Sequence, residues 1–257
     1  MNKFITKTLA CCMLLTLQML FGTVSAAEAK PDSLADIWIM VPNPGQSEKF
    51  ENAFQKHIKF RAEKGDPRPW KTYVPVVGKN LNYYVVRFCC TKFNDIESYV
   101  KWGKDKKIQD DWNKHVDKYV AHYEHYYARL DFENSNWPEG DQGYKYFGVT
   151  DYTPKMGKGK SISAGKEMLS DNAKAMKWPY SWSWSWQIGG DEDLSLVIPY
   201  KGYAGMTPPD KSFAKILAEH LGDEAKAGEI FKQWSDNFHS TNYTVYRLRD
   251  DMSMSED

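Results

Sequence analysis

The chain has 257 residues, with 34 Lys and Arg against 34 Asp and Glu, so its formal net charge is zero. Balanced charge offers no basic field for a nucleic-acid backbone, which excludes nucleic acid as the expected partner. The length supplies one or two buried cores, and 10 Trp, 16 Tyr and 12 Phe are more than such cores usually need, a surplus that points to a lined pocket or an interface.

In chain order the first feature is an expected signal peptide over residues 1–26. Lys3 and Lys7 form a positive start, Leu9 to Phe21 is apolar apart from Thr16 and Gln18, and Val24-Ser25-Ala26 supplies the small residues that a signal peptidase needs. The apolar run is shorter than the roughly 20 residues of a membrane-spanning helix. Cleavage after Ala26 would leave 231 residues carrying 32 basic and 34 acidic side chains, a net charge of −2. The expectation is a soluble, exported protein, periplasmic by the bacterial pattern of its leader, with no membrane attachment after cleavage. Cys11 and Cys12 would leave with the leader. Cys89 and Cys90 would remain, and because neighbouring strand residues face opposite ways, two free thiols are expected there.

Ile37 to Val41 reads as a short strand ending at Pro42-Asn43-Pro44-Gly45, a turn signal. Ser47 opens a helix to about Lys64, with Phe50, Ala53, Phe54, His57, Ile58 and Arg61 at helical spacing. Trp70 to Val77 and Tyr83 to Cys90 read as the strands of a hairpin, and helical stretches follow from Asn94 or Asp95 and from about Lys106 to His115. Tyr119 to Asp131 is ambiguous, with a closing strand placed at Tyr126 to Leu130. Residues 132–143, polar with Pro and Gly, read as a linker. The order then recurs: strand Tyr144 to Thr153, helix Ser161 to Lys177, strands Tyr180 to Ile188 and Leu194 to Tyr200, helices Lys211 to Leu221 and Glu224 to Phe238, strand Tyr243 to Leu248, and a frayed tail over 252–257.

The two halves keep register. Val77-Gly78 is matched by Ile188-Gly189 and Val85-Val86 by Leu196-Val197, both 111 residues later. The expected fold is therefore α+β, two tandem ferredoxin-like β-α-β-β-α-β repeats over 27–131 and 144–251, packed sheet to sheet because each open sheet face needs cover. With Val41-Pro42-Asn43-Pro44-Gly45 ahead of Phe50 and Phe54, then the hairpin and the Trp112 helix, the chain resembles the dimeric α+β barrel superfamily, whose members include antibiotic-biosynthesis monooxygenases, NIPSNAP-type proteins and chlorite dismutases. The resemblance implies a fused pseudo-dimer whose sheets enclose a pocket.

Several residues are candidates for a site. Trp182, Trp184 and Trp186 alternate with serines, so all three share one strand face in a row about 13 Å long at roughly 3.3 Å per residue. That face is either core against the helices or an aromatic wall for a ligand, and small residues such as Ala164, Gly165, Ala173 and Ala175 would be needed opposite it in the first case. Tyr84 and Arg87 lie on a strand, where an inward Arg could hold an anion. His122 and His125 would share a helix face if that segment were helical. Some members of the superfamily hold haem through a His on a late helix, and the resemblance puts His115 and His239 nearest that role. No cofactor is otherwise expected. The P-loop, zinc-protease, nucleophile-elbow, C-x-x-C and dinucleotide patterns are absent from the sequence. The leading reading is a small-molecule-binding protein with an aromatic-lined pocket between two sheets. The alternatives are an enzyme of the cofactor-independent monooxygenase or haem-linked type, and a partner-binding structural protein, including a homo-oligomer, that uses the Trp row as its interface.

Overall fold

The computed structural model describes residues 33–191 and 193–255. The expected signal peptide lies outside the described residues. The first half comprises β1 (Leu34–Pro42), α1 (Ser47–Glu63), β2 (Lys71–Val77), β3 (Tyr84–Thr91), α2 (Phe93–Asp105), α3 (Ile108–His115) and β4 (Val120–Asn136). The second comprises β5 (Tyr146–Pro154), α4 (Gly159–Ala175), β6 (Trp182–Ile188), β7 (Leu194–Tyr200), α5 (Phe213–Leu221), α6 (Glu224–Ser235) and β8 (Phe238–Leu248). Both β1 and α1 recur 112 residues later as β5 and α4, starting at Tyr146 and Gly159 after Leu34 and Ser47.

Local chemistry sets the element ends. Gly45 adopts a φ of 73° in the turn before α1, a conformation that a side chain disfavours. Ser212 and Asp223 cap α5 and α6 by accepting hydrogen bonds from the backbone N–H of Lys215 and Lys226. Gly222, in the left-handed region, stops α5 between them.

Each half forms an antiparallel sheet, β4-β1-β3-β2 in the first and β6-β7-β5-β8 in the second. The sheets also join at their edges, β2 to β8 and β4 to β6, closing an eight-stranded antiparallel barrel. The sheet faces thus oppose one another across a lumen while helices cover the outside. Alternation sorts the side chains: Ala35 and Ile37 of β1 point into the lumen with Ala128, whereas Trp38 and Met40 point out toward α1 and α3.

Four details differ from the sequence expectation. The ambiguous segment is strand from Val120 onward, and β4 runs to Asn136, five residues into the segment read as a linker. Trp182 and Trp184 draw it there: the Trp182 indole Nε1 donates to the Asn134 carbonyl at 2.8 Å, and the Trp184 backbone N–H donates to Ser135 Oγ at 3.0 Å. Residues 252–255 of the segment read as a frayed tail are held against the fold, with Met252 and Met254 buried in the core beneath α1 and the Thr72 hydroxyl donating to the Met252 carbonyl at 2.6 Å. Cys89 and Cys90 are joined as a disulfide rather than left as thiols, and the peptide bond between them is cis. Among the described residues no helix is long and apolar enough to cross a membrane.

The second-half core is built on the Trp row. Trp182 and Trp184 pack with Ile162, Ala173, Leu194, Trp234 and Phe238, and Trp186 packs against the same cluster. Trp184 is 4 % exposed, and its indole donates to Ser170 Oγ of α4 at 3.1 Å. The small residues opposite are Ala173, within the cluster, and Gly165, where a Cβ would stand 3.0 Å from the Trp234 ring; Ala164 and Ala175 are exposed. Replacing Trp184 by Ala is expected to cost about 3–5 kcal/mol, as for other buried large aromatic residues. Ser183→Ala on the opposite face should cost well under half of that. Urea denaturation of the two variants checks the order.

Candidate functional site

The barrel creates two kinds of enclosed space, one between sheet and helices and one within the lumen. The larger lies in the first half, a cavity of about 880 Å³. Its floor is the outward face of β1, β3 and β4, with Trp38, Val86 and His125. Its roof comprises α1, α2 and α3, with His57, Tyr99, Trp102 and Trp112. The helical spacing in α1 turns Phe54, His57, Ile58 and Arg61 toward this space, so two polar side chains sit on an otherwise apolar stripe.

Polar groups in the walls are held in two networks. Asp36 of β1 and Arg68 are both buried, with Nη1 donating to Oδ2 at 2.6 Å. Arg68 also donates to Thr91 Oγ1 at 3.1 Å, and its guanidinium carbon lies 3.6 Å from the Tyr99 ring centroid. The other Asp36 oxygen meets His125 Nε2 at 3.0 Å, and the His125 ring stacks on Trp38 with centroids 4.0 Å apart. A buried ion pair of this kind owes its stability to completeness, because removal of either partner strands a charge.

The second network centres on Asp111 of α3, which meets His57 Nδ1 and His115 Nδ1, both at 2.8 Å. His57 is 2 % exposed. Burial pushes its pKa down to about 4 against the opposing pull of Asp111, so it is a neutral imidazole at neutral pH. Burial acts to raise the Asp111 carboxyl, but the two histidine hydrogen bonds outweigh it and hold the group below the usual carboxylate range. The two directions agree: a neutral ring with Nδ1–H donating to a carboxylate, which leaves Nε2 as the nitrogen not engaged by Asp111.

The lumen is smaller, about 350 Å³, and receives Ser183 and Ser185 of β6 and Arg87 of β3 together with Asp151 and Ser195 of the second half. Ser195 Oγ donates to Asp151 Oδ1 at 2.5 Å. Burial raises the Asp151 carboxyl above its usual range, against the pull of that hydrogen bond.

The residues singled out in the sequence fall in different places. Arg87 faces the lumen. Trp182, Trp184 and Trp186 face the helices and line neither cavity, so the wall alternative gives way to the core; the serines between them line the lumen instead. Tyr84 is also core, donating from its hydroxyl to Glu51 Oε1 at 2.7 Å. His115 and His239 are exposed and line neither cavity, because each lies on the solvent side of its element. His122 and His125 do not share a helix face: on a strand they diverge, His125 into the first-half cavity and His122, exposed beside Glu124, onto the lumen-side face of β4 opposite Val41. Among the described residues no group of three His, Cys, Asp or Glu could hold a metal ion. Sequence reasoning missed His57, Asp36 and Arg68. For His57 the signal was present, an imidazole within the apolar stripe of α1; the Asp36–Arg68 pairing joins positions 32 residues apart and left none.

No protein-family model and no curated protein sequence matches the chain. Solved structures do match. A candidate monooxygenase from Lactobacillus acidophilus aligns over 88 % of this chain and 100 % of its own, at 7 % identity and a TM-score of 0.53. An anthrone oxidase-like protein aligns over 86 % and 92 %, at 8 % identity and a TM-score of 0.52. A chlorite dismutase variant from Candidatus Nitrospira defluvii aligns over 86 % and 93 %, at 8 % identity and a TM-score of 0.51. The fold is the dimeric α+β barrel. In this dimeric α+β barrel a single chain supplies both halves, and the halves differ: the helix–sheet space is open in the first and filled by Trp182, Trp184, Trp234 and Phe238 in the second.

The His57 network has a pH signature. A histidine whose folded pKa lies below its unfolded value stabilises the fold fully only above the unfolded pKa of about 6.5, and the contribution falls as pH drops toward about 4. The lowered carboxyl of Asp111 acts in the same direction. His57→Gln is therefore expected to flatten the pH dependence of stability, removing a loss on the order of 3 kcal/mol between pH 6.5 and 4. Urea titrations of both proteins across that window measure it.

Proposed function

We propose that this chain is a small-molecule-binding protein whose principal site is the first-half cavity between sheet and helices, and that its ligand is flat and largely apolar. The asymmetry of the two halves carries this reading: one helix–sheet space holds a core cluster built on indole rings, and the equivalent space holds a cavity of about 880 Å³. That volume is in the range of small-molecule and cofactor sites. The walls suit a planar guest, with Trp38, Trp70, Tyr99, Trp102 and Trp112 around it. Arg61 and Arg68 are already paired with Asp66 and Asp36, so the interior adds little net charge. The pocket of this reading lies beside one sheet, not between the two as the sequence suggested. The leader-like residues 1–26 support a place of action outside the cytosol, in the periplasm. Oxidation of a flat aromatic substrate is the enzymatic form of this reading, as the names of the candidate monooxygenase and the anthrone oxidase-like protein suggest.

One observation favours a second reading, haem, which the resemblance admits. A buried neutral imidazole with one nitrogen held by a carboxylate is the donor chemistry of a metal-ligating histidine. The residues fit the group: His57 would hold its iron, Asp111 would orient the imidazole ring, and Lys104 and Lys107 along the cavity would meet carboxylate substituents. Haem, when bound, supplies redox and oxygen chemistry. The chain's own part is to keep the imidazole unprotonated and to surround the ring with apolar walls.

Two titrations test these readings. 1-Naphthol should quench the tryptophan fluorescence of the purified protein saturably, and Ile58→Trp, which narrows the cavity from α1, should weaken binding by about tenfold or more, roughly 1.4 kcal/mol. Unchanged binding in the folded variant would place the site elsewhere. Haemin should give a Soret shift that is lost in His57→Ala and kept in His115→Ala and His239→Ala; no shift in the unmodified protein rejects haem while leaving the naphthol result standing.

A further inference from the structure

The lumen plays no part in the reading above, and its chemistry is of another kind. It is formed by strands of both halves, and much of its wall is aliphatic, with Ile37, Val85, Ala128, Leu130, Val149 and Val197. Arg87 enters this apolar space from β3, in register with Ile37 of β1. The guanidinium is charged at any ordinary pH, and among the described residues it makes no hydrogen bond or ion pair. The hydroxyls of Tyr126 and Tyr246 line the same space and likewise have no hydrogen-bond partner among the described residues. Asp151 lines the same space but makes no ion pair with Arg87, and one of its oxygens already accepts from Ser195. The lumen does carry protein acceptors, on Asp151, Ser183, Ser185, Gln187 and Ser195, but none of them meets the Arg87 guanidinium in a hydrogen bond or ion pair, which leaves this half-buried cation open to an acceptor from outside.

We propose that the barrel lumen is a second ligand site, selective for a small monocarboxylate with an aromatic or aliphatic body, with Arg87 pairing the carboxylate and the aliphatic strand residues enclosing the body. One unpaired cation matches one negative charge. A planar guanidinium matches a carboxylate in two parallel hydrogen bonds, and Tyr126 or Tyr246 can donate a third. The volume of about 350 Å³ is at the small end of ligand pockets, as an eight-stranded barrel interior should be.

The test uses the full chain and a matched pair of probes, 3-phenylpropionate and its uncharged amide, in calorimetric titrations. The unmodified protein should bind the acid about tenfold or more tightly than the amide. Arg87→Met should erase that preference with amide binding unchanged. Ala128→Phe, which fills the lumen, should weaken both, and Val197→Phe repeats this from the other half if the first variant does not fold. Ile58→Trp, in the helix–sheet cavity, should change neither. The proposal is overturned if the unmodified protein does not bind the acid, if its preference survives Arg87→Met, or if acid binding persists in the lumen-filled variants. It is equally overturned if Ile58→Trp alone abolishes acid binding. The naphthol and haemin results bear only on the other cavity, so either reading can fail without the other.

Discussion

A four-stranded sheet with helices on one side leaves two edges of unpaired backbone groups and one bare face. In this chain a single arrangement satisfies both: β2 pairs with β8 and β4 with β6, so each half supplies the edge partners of the other. Edge pairing closes the ring, and closure divides every strand's side chains between an enclosed lumen and a helix-covered exterior. The Trp row, the buried Asp36–Arg68 pair and the lone Arg87 all take their surroundings from that division. The Trp–Ser alternation of β6 shows its effect most directly, with indoles sent out to α4 and α6 and hydroxyls sent in.

Closure leaves each half free to fill its own interior. Repeats with the same order of elements need not fill their space alike, since only the edges must stay complementary. The second half invests its aromatic residues in packing around Trp184 and Trp234. The first half places aromatic rings around a cavity and ties them with hydrogen bonds, as Trp70 and Arg61 both meet the Tyr99 hydroxyl and Trp112 meets that of Tyr123. A polar-tipped aromatic wall of this kind keeps its shape without a filling, because each ring is held by a directional contact as well as by packing.

The order of elements and the helix–sheet periodicities were legible in the sequence, because strand and helix announce themselves through spacing of two and of three to four. The direction a strand face takes was not. Trp182, Trp184 and Trp186 could be assigned to one face, but whether that face met helices or lumen depended on closure, a property of the opposite half of the chain. The candidate sites suffered for the same reason. His115 and His239 were chosen by position along a helix or at its end, whereas His57 matters by burial, and burial there is set by α3 folding back over α1. Arg87 was legible as an oddity among Tyr83, Tyr84 and Phe88, an ionised side chain on an apolar strand, and such exceptions carry more information about a site than abundant aromatic residues do. The tail was read as frayed from its terminal position, yet the Met252 carbonyl accepts from Thr72, 180 residues away, and the Met254 backbone N–H donates to the Trp70 carbonyl.

That anchoring ties the two halves together by side chains as well as by strand edges. Met252 occupies the same cluster as Phe50 and Phe54, and Arg249 forms a two-pronged ion pair with Glu51 of α1 at 2.9 Å in each arm. The core of the first half thus includes residues that follow the whole second half in sequence. The helix–sheet layer that holds the larger cavity is therefore not a module that could be cut out at the boundary between the halves: its packing needs a segment from beyond β8 as much as it needs its own strands.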